Sequence, residues 1–346
     1  MNYPVIKLRK GKEESLERFH PWVFSGAVAS QPDDIEEGDL VSVVSHDGRT
    51  IGVGHYQIGS ITVRILAWGE SAIDEDFYSC RLREAYNVRK ALKLATPINN
   101  AYRLVHGEGD FLPGLVVDIY GDTAVVQAHS PGMHFARDII ANALVNLPDA
   151  GIKNVYYKSE TTLPFKAQLD PHNDYIIGKY STNIAVENGL KFHVDWLKGQ
   201  KTGFFVDQRD NRSLLEKYSC GRNVLNMFCY TGGFSVYALR GGANLVHSVD
   251  SSAKAIALTD ANVALNFPDD KRHTSYAEDA FKFLSSMETS YDLIILDPPA
   301  FAKHRSALRN ALIGYRKLNA KAFEKIAPGG ILFTFSCSQA VNREQF

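Results

Sequence analysis

The sequence lacks the long apolar runs that mark exported and membrane-spanning proteins. Its first residues, MNYPVIKLRKGKEE, are charged, and no later stretch reaches the roughly 18 apolar residues of a membrane span. It also lacks a surplus of positive charge, because 38 basic residues are balanced by 39 acidic ones. We therefore expect a cytoplasmic protein without membrane contact, in which local basic patches and not the net charge would bind a nucleic acid.

Cysteine is scarce, and its spacing does not suit a disulfide scaffold. The four cysteines form no CxxC pair, so we expect reduced thiols, each of which either packs in the core or acts as a nucleophile. The histidines show no HxH or HExxH spacing, which predicts no metal site. The four thiols to be judged are Cys80, Cys220, Cys229 and Cys337.

The pattern of apolar residues divides the 346 residues into three segments. Short β-rich runs and an Asp47-Gly48 turn predict a mostly β domain over residues 1–72. Helical spacing from 74 to 94 and from 133 to 147, around strand-like runs such as GLVVDIY, predicts an α+β domain over residues 73–190. The polar stretch 159–174 predicts a loop. Residues 191–346 alternate buried-type strands with helices, which predicts a doubly wound parallel sheet.

In such a sheet, ligands bind beyond the carboxyl ends of the strands, so the loops there locate the site. The first strand ends in NMFCYTGGF and the second in Asp250, an acid that can accept both hydroxyls of a ribose. Asp279 follows the third strand and either accepts from an adenine amino group or caps the next helix. Because the glycine turn is not a GxGxxG cradle, a cofactor without phosphates is favoured over NAD or FAD.

The loops after the fourth and fifth strands carry the remaining candidates for chemistry. Two prolines after Asp297 predict a rigid loop that presents this carboxylate to a planar group. Cys337 is expected where the fifth strand enters the crevice, where a thiol either packs or reacts. Cys229 lies beside the cofactor turn and is expected to pack.

Taken together, these motifs resemble the ribosomal RNA large subunit methyltransferase I family, cytosine-carbon-5 methyltransferases with an N-terminal PUA domain. The resemblance covers nearly the whole chain, through HPWVFSGAV, LVHGEGDFLPGLVVDIYGD, GQKTGFFVDQRDNR, VLNMFCYTGGFSV, SVDSS, LDPPAF and LFTFSCS. It implies an α/β protein with a PUA domain (1–72), a small α+β middle domain (73–190) and a Rossmann-like class I methyltransferase domain (191–346).

The family resemblance also implies a cofactor, a substrate and roles for individual residues. The cofactor would be S-adenosylmethionine and the substrate carbon 5 of a cytosine in large-subunit (23S) ribosomal RNA. Cys337 would add to carbon 6 of the base while Asp297 protonates or hydrogen-bonds N3. Ala300 departs from the lysine common in the family, and Gln208-Arg209 looks like an entry loop over the cofactor. The cofactor contacts would be Gln208, Asn226, Phe228, Tyr230, Thr231, Gly232, Asp250, Asp279 and Asp297.

Two groups of basic residues are candidates for RNA contact. No acid occurs between 301 and 321, so this run either follows RNA phosphates or forms a solvated helix face. The first group comprises Lys303, Arg305, Arg309, Arg316 and Lys317. The second, diluted by neighbouring glutamates, comprises Lys7, Arg9 and Lys10.

Two other functions stay open from the residues alone. Methylation of a base nitrogen would use a similar DPP loop without a cysteine, and a non-catalytic RNA-binding assembly factor would need no cofactor. The assembly state, including a homodimer, is also left open. Because the sequence stops soon after FSCSQAV, we expect a shortened version of a longer protein in which GILFTFS forms an open sheet edge.

Overall fold

A computed structural model describes residues 3–164, 169, 171–180, 182–302 and 304–346. The chain divides into two compact units. The first comprises Met1–Gly189 and Val194–Val206, and the second comprises Leu190–His193 and Asp207–Phe346. The domain boundaries at 72/73 and 190/191 stay predictions.

The N-terminal segment of the first unit forms a six-stranded sheet in the order β2-β6-β5-β4-β1-β3. The hairpin predicted around Asp47-Gly48 is confirmed, because β4 and β5 pair antiparallel and Gly48 adopts a φ of 93°. The elements are β1 (Val5–Leu8), α1 (Glu14–Glu17), β2 (Trp22–Phe24), β3 (Val28–Ser30), β4 (Leu40–Val44), β5 (Thr50–Tyr56) and β6 (Ile61–Trp68).

The middle segment forms a five-stranded sheet in the order β11-β10-β9-β8-β7, with helices in the sequence between its strands. The predicted helix from 74 to 94 is confirmed as α2, which Asp74 caps by accepting from the Phe77 N–H. The elements are α2 (Glu75–Ala91), β7 (Ala101–His106), β8 (Leu115–Tyr120), β9 (Thr123–Ala128), α3 (Pro131–Phe135), α4 (Arg137–Val145), β10 (Asn154–Tyr157), β11 (Asp174–Ile177) and β12 (Ile184–Glu187).

The N-terminal and middle segments share one hydrophobic core. Val53 and Leu66 of the first sheet belong to the same buried cluster as Leu82 of α2 and Ile119 of β8. Each of these four side chains is at most 2% exposed. Burial of this kind stabilises by roughly 1.5–3 kcal/mol per large aliphatic side chain, so the two segments depend on each other for stability.

The second unit contains the doubly wound sheet that the sequence predicts. Its five parallel strands run in the order β16-β15-β14-β17-β18, so the strand order reverses between β14 and β17. The elements are β13 (Leu190–His193), α5 (Arg209–Tyr218), β14 (Asn223–Met227), α6 (Gly233–Arg240), β15 (Leu245–Asp250), α7 (Ala253–Asn266), β16 (His273–Ala277), α8 (Ala280–Ser286), β17 (Leu293–Leu296), α9 (Leu308–Lys325) and β18 (Ile331–Thr334).

Three expectations about local structure need correction. The single helix expected from 133 to 147 is two helices, α3 and α4, which meet at Ala136. The entry loop expected at Gln208-Arg209 is the start of α5, with Gln208 at its N-cap. Of the loop expected over 159–174, residues 165–168 and 170 lie outside the described residues, and Asp174 already belongs to β11.

The edge position of the GILFTFS strand agrees with the expectation. In the described residues, β18 pairs with β17 on one side only, and its four residues are half-buried. No helix within the described ranges is both long enough and apolar enough to cross a membrane.

Candidate active site

The candidate site lies at the carboxyl ends of β14 and β17, where the strand order of the sheet reverses. At such a reversal the two following loops diverge to opposite faces and leave a crevice between them. The loop after β14 runs from Phe228 to Gly232, and the loop after β17 begins at Asp297. The predicted cofactor and catalytic residues therefore come from neighbouring strand ends of the second unit.

The loop after β14 has an unusual backbone. Phe228, Tyr230 and Gly232 adopt φ values of 58°, 49° and 76°, so every second residue is left-handed. For bulky residues this conformation is strained, and such strain tends to persist at functional sites. Hydrogen bonds from α7 hold the loop, since Thr259 donates to the Tyr230 carbonyl and Asn262 to the Thr231 carbonyl, both at 2.9 Å.

Asp250 connects the ends of the first two strands of this sheet. Its Oδ2 accepts from the Tyr230 N–H at 3.0 Å, and its Oδ1 accepts from the Ser252 N–H at 2.9 Å. These bonds fix a half-buried carboxylate at the tip of β15, beside the left-handed loop. A carboxylate oxygen has more than one lone pair, so both oxygens keep capacity for ribose hydroxyls.

Cys229 is a packing residue, as expected. The thiol is 7% exposed, and its Sγ lies 3.8 Å from the Thr259 Oγ1. Burial, together with the nearby Asp250 charge, raises the pKa of Cys229 to about 12. The thiolate is the reactive form of cysteine, so this thiol is unreactive near neutral pH.

Position 232 requires glycine because of its left-handed backbone and because Thr259 leaves no space for a Cβ. A Cβ built there would lie 2.6 Å from the Thr259 Cγ2, at a φ of 76°. We expect Gly232→Ala to lower the free energy of unfolding by about 1–3 kcal/mol and to weaken cofactor binding, because the loop must shift. Urea unfolding and calorimetry measure the two effects.

Gly221 provides the matched control for this substitution. Its φ is 72°, but a Cβ there would meet no atom within 4 Å. Gly221→Ala should therefore show the backbone strain alone and leave cofactor affinity unchanged. Equal effects of the two substitutions on cofactor affinity would contradict the steric role of Gly232.

Hydrogen bonds from the start of α5 hold the side chain of Asp297. Gln208 Nε2 donates to the Asp297 Oδ2 at 3.1 Å, and Asn211 Nδ2 donates to the Gln208 Oε1 at 2.6 Å. These two consecutive hydrogen bonds fix the orientation of the Asp297 carboxylate at the start of the proline loop. Pro298 is buried and Pro299 exposed, so the loop projects from a fixed base.

Cys337 lies in the loop after β18 and is exposed, whereas the sequence placed it in the strand. Its Sγ lies 3.8 Å from the Pro298 carbonyl oxygen, so the thiol sits against the loop that carries Asp297. The strand ends at Thr334, although the Phe335 N–H still donates to the Leu296 carbonyl at 2.9 Å. The structure therefore brings the two predicted catalytic residues to adjoining loops.

Ser338 is a residue of this site that the sequence did not single out. Its buried hydroxyl accepts from the Ala302 N–H at 3.1 Å and lies 2.8 Å from the Tyr315 hydroxyl of α9. It thereby joins the loop of Cys337 to the proline loop and to α9. The sequence could have indicated this residue, because Ser338 directly follows the candidate nucleophile in the FSCS motif.

Asn226 and Asp279 have local partners besides their predicted roles. Asn226 is 1% exposed inside β14, where its Nδ2 donates to the Ser235 Oγ at 2.9 Å. Asp279 caps α8, because its Oδ1 accepts from the Lys282 N–H at 2.9 Å. Contact of these two residues with a cofactor stays a prediction, as do the roles of the other site residues.

The residues present fit a cofactor that has a ribose and no phosphates. The described loop offers a fixed carboxylate at Asp250, a glycine where no Cβ fits at Gly232, and a buried Asn226 Oδ1 that has no hydrogen-bond partner. Among the described residues, no three histidine, cysteine or acidic side chains cluster as metal ligands would.

The basic residues proposed for RNA contact are exposed where the structure describes them. Arg309 and Arg316 lie seven residues apart on α9, so they share one face of the helix. No ion pair is recorded for these or for Arg305 and Lys317 in the described part of the chain, and Lys303 lies outside it. Lys7 and Lys10 are exposed as well, while Arg9 Nε donates to the Val28 carbonyl at 2.9 Å.

Comparison with known families agrees with these features. A family model for S-adenosylmethionine-dependent methyltransferases matches residues 158–345. A model for PUA-like domains matches residues 6–68. The two matches cover the doubly wound sheet and the N-terminal sheet, respectively.

Curated relatives match almost the entire chain. Ribosomal RNA large subunit methyltransferase I of Shewanella denitrificans is 40% identical over 354 residues, covering 99% of this chain and 87% of the relative. The protein of the same name from Aeromonas hydrophila is 40% identical over 351 residues with the same coverage.

Solved structures share the fold. A proposed S-adenosylmethionine-dependent methyltransferase from Streptococcus mutans superimposes with a TM-score of 0.80 at 23% identity, covering 99% of this chain and 88% of that one. A further structure, of a methyltransferase complexed with SAH, gives a TM-score of 0.82 at 24% identity with the same coverage.

Proposed function

Because the chain belongs to the S-adenosylmethionine-dependent methyltransferases of the ribosomal RNA large subunit methyltransferase I family, we propose that it methylates carbon 5 of a cytosine in large-subunit ribosomal RNA. The observation that supports the choice of atom is the exposed Cys337 thiol, 3.8 Å from the carbonyl of Pro298, the residue that follows Asp297. Carbon 5 of cytosine is a weak nucleophile until a thiolate has added to carbon 6, so this reaction needs a thiol at that place.

S-adenosylmethionine supplies an electrophilic methyl group to the crevice. In the proposed reaction, Cys337 adds to carbon 6 while Asp297 protonates or hydrogen-bonds N3, which gives an enamine with a nucleophilic carbon 5. Transfer of the methyl group, loss of the carbon-5 proton to a base and expulsion of the thiolate complete the reaction. Gln208 keeps the Asp297 carboxyl oriented throughout.

We propose the following roles for the side chains at the cofactor. Asp250 binds the ribose hydroxyls, and the turn from Phe228 to Gly232 lines the methionine and sugar side. Asp279, next to the end of β16, takes the adenine amino group with its carboxylate. The target cytosine must be unstacked to reach Cys337, because both faces of a stacked base are covered.

The exposed basic face of α9 is proposed to hold the phosphates beside the target base. Replacing Arg309 and Arg316 together by Gln should weaken binding of single-stranded RNA. It should also reduce the slope of log affinity against log salt by about 1.4, since each phosphate contact contributes roughly 0.7. A filter-binding titration at several salt concentrations measures this slope.

Lys321 of the same helix is the control for this charge effect, because it pairs with Glu324 at 2.9 Å. Lys321→Gln removes one positive charge from α9 but should leave the salt slope near the wild-type value. If the double variant kept the wild-type slope, α9 would not contact RNA phosphates.

Mapping of the modified nucleotide tests the proposed function directly. Ribosomal RNA from cells with and without the gene is sequenced at single-nucleotide methylation resolution. We expect one cytosine of the large-subunit RNA to lose a carbon-5 methyl group in the absence of the gene. Loss of a methyl group from a base nitrogen instead, or no change, would contradict the proposal.

A further inference from the structure

The first unit carries a row of aromatic rings at its surface that the catalytic residues do not use. We define the aromatic row as Phe19, Trp68, Phe111, Arg81 and Phe77. The Trp68 ring centroid lies 5.4 Å from that of Phe19 and 6.2 Å from that of Phe111. The Arg81 guanidinium carbon lies 5.3 Å from the Phe111 ring centroid and 5.4 Å from that of Phe77. The rings thus connect the N-terminal to the middle segment, and both contacts of Trp68 are edge to face, so each exposed ring offers its own face to a base.

The rings at two points of the row are exposed. Phe19 is 66% exposed and Phe111 is 46% exposed, whereas aromatic side chains usually bury most of their surface. A single exposed ring needs no explanation, but exposed rings joined by further ring contacts form the kind of apolar surface that binding sites use.

The backbone holds these two rings in strained conformations. Phe19 has a φ of 62° and Phe111 a φ of 55°, in the left-handed region that bulky side chains avoid. Glycine or asparagine would fit either position with less strain. Phenylalanine at both positions therefore suggests that the ring itself is needed.

Hydrogen bonds fix two members of the row, Trp68 and Arg81. Trp68 Nε1 donates to the Leu16 carbonyl of α1 at 2.9 Å, and Arg81 Nη1 lies 3.1 Å from the Glu84 Oε2. A platform that is already ordered loses little conformational entropy when a ligand stacks on it.

The segment before Phe19 carries exposed lysines that can meet RNA phosphates, while Glu14 and Glu17 of α1 are paired with Arg18 and Arg49. Lys7, Lys10 and Lys12 precede Phe19, and no ion pair of theirs is recorded within the described residues. Lys12 also lines a cavity of about 300 Å³ with Leu16, Trp22 and Phe24. Leu16 thus lines this cavity and also accepts the hydrogen bond from Trp68 of the row.

We propose that the aromatic row stacks unpaired bases of single-stranded RNA. Aromatic rings and arginine planes stack bases of any sequence, and in a duplex these base faces are covered. The inference rests on the proposed function, which brings RNA to the protein, and it adds base stacking to the phosphate contacts predicted for Lys7, Arg9 and Lys10 of the same unit.

The test measures binding of the full chain to a labelled single-stranded RNA of about 12 nucleotides, within the site sizes known for stacking surfaces. The variants are Phe19→Gly and Phe111→Gly, because glycine adopts the left-handed backbone without strain. Each should weaken binding at least about fivefold, the low end of the loss of one base stack. The salt slope should not change, because no phosphate contact is removed.

Two controls separate stacking from a general loss of structure. The melting temperature of both variants should stay near that of the wild type, since relief of backbone strain offsets the lost ring contact. Phe135→Ala removes a ring that is 53% exposed elsewhere in the same unit, and it should leave RNA affinity unchanged.

Three results would overturn the inference. These are wild-type affinity of both glycine variants for the single strand, an equal loss of affinity for duplex RNA, and a wild-type dimer that both variants dissociate. The last result would assign the row to contact between two copies of the chain. If the row is needed for RNA binding but the wild type methylates no ribosomal RNA, the proposed function fails and the inference stands.

Discussion

Cys337→Ala is expected to bind S-adenosylmethionine as the wild type does and to transfer no methyl group to RNA. The thiol lies in the loop after β18, against the Pro298 carbonyl, whereas the predicted cofactor residues lie at the ends of β14 and β15. Removing it deletes the nucleophile without disturbing the cofactor turn. Calorimetry with S-adenosylhomocysteine and transfer of a labelled methyl group to ribosomal RNA measure the two properties.

Cys229→Ala is the matched control for the loss of a thiol. Cys229 is buried next to the cofactor turn, and its raised pKa keeps it protonated at neutral pH. We expect this variant to retain substantial activity and to lose some stability, because a packed side chain becomes smaller. Robust methylation by Cys337→Ala would contradict the thiolate mechanism and favour methylation of a base nitrogen.

Asp250→Ala is expected to lose cofactor affinity by about 100-fold or more, because a hydrogen bond to a charged group contributes roughly 1.5–3 kcal/mol and the ribose offers two hydroxyls. Wild-type affinity should lie in the micromolar range, about 8 kcal/mol. The variant also removes the acceptor of the Tyr230 N–H, which loosens the left-handed loop.

Thermal unfolding with and without ligand separates these two effects of Asp250→Ala. At a ligand concentration 100 times the Kd of the wild type, the ligand should stabilise the wild type against unfolding by about 2.7 kcal/mol and the variant hardly at all. Asp260→Ala, which removes a half-exposed carboxylate of α7 outside the crevice, should keep wild-type affinity. Tight binding of NAD together with no binding of S-adenosylmethionine would contradict the cofactor assignment.

The sheet of the second unit could be predicted because its strands are short buried runs separated by amphipathic helices. Runs such as LIIL in β17 are fully buried, which is typical of strands in a parallel sheet that helices cover on both faces. The rule that ligands bind beyond the carboxyl ends of such strands then located Asp250, Asp297 and the glycine turn.

Other elements left too weak a signal in the sequence. Helix α5 buries Arg212 and Leu215 while its Leu214 and Tyr218 are exposed, so burial there does not follow the apolar residues of the sequence. Strands β11, β12 and β13 have four residues each, which is too short for alternation to stand out. The common core of the N-terminal and middle segments depends on long-range packing that no local pattern encodes.

The details of the site depended on tertiary contacts. The left-handed backbone at Phe228 and Tyr230 is one that bulky residues rarely adopt, so no propensity predicts it. Ser338 joins the two loops through contacts with the Ala302 N–H and the Tyr315 hydroxyl, which are distant in the sequence, so no local pattern predicts them. Cys337 lies outside β18, in a loop that the hydrogen bond between Ser338 and the Ala302 N–H joins to the proline loop.

The central claim, a bond between Cys337 and carbon 6 of cytosine, is tested most directly with RNA that carries 5-fluorocytosine at the mapped target. Fluorine at carbon 5 cannot leave as a proton, so the thiolate is not expelled after methyl transfer. We predict a denaturation-resistant adduct of wild-type protein and RNA that Cys337→Ala does not form. Asp297→Asn should form it about 10²- to 10⁴-fold more slowly, since acid assistance at N3 is lost. Adduct formation by Cys337→Ala, or methylation of the natural RNA by a wild-type enzyme that never forms the adduct, would contradict the account.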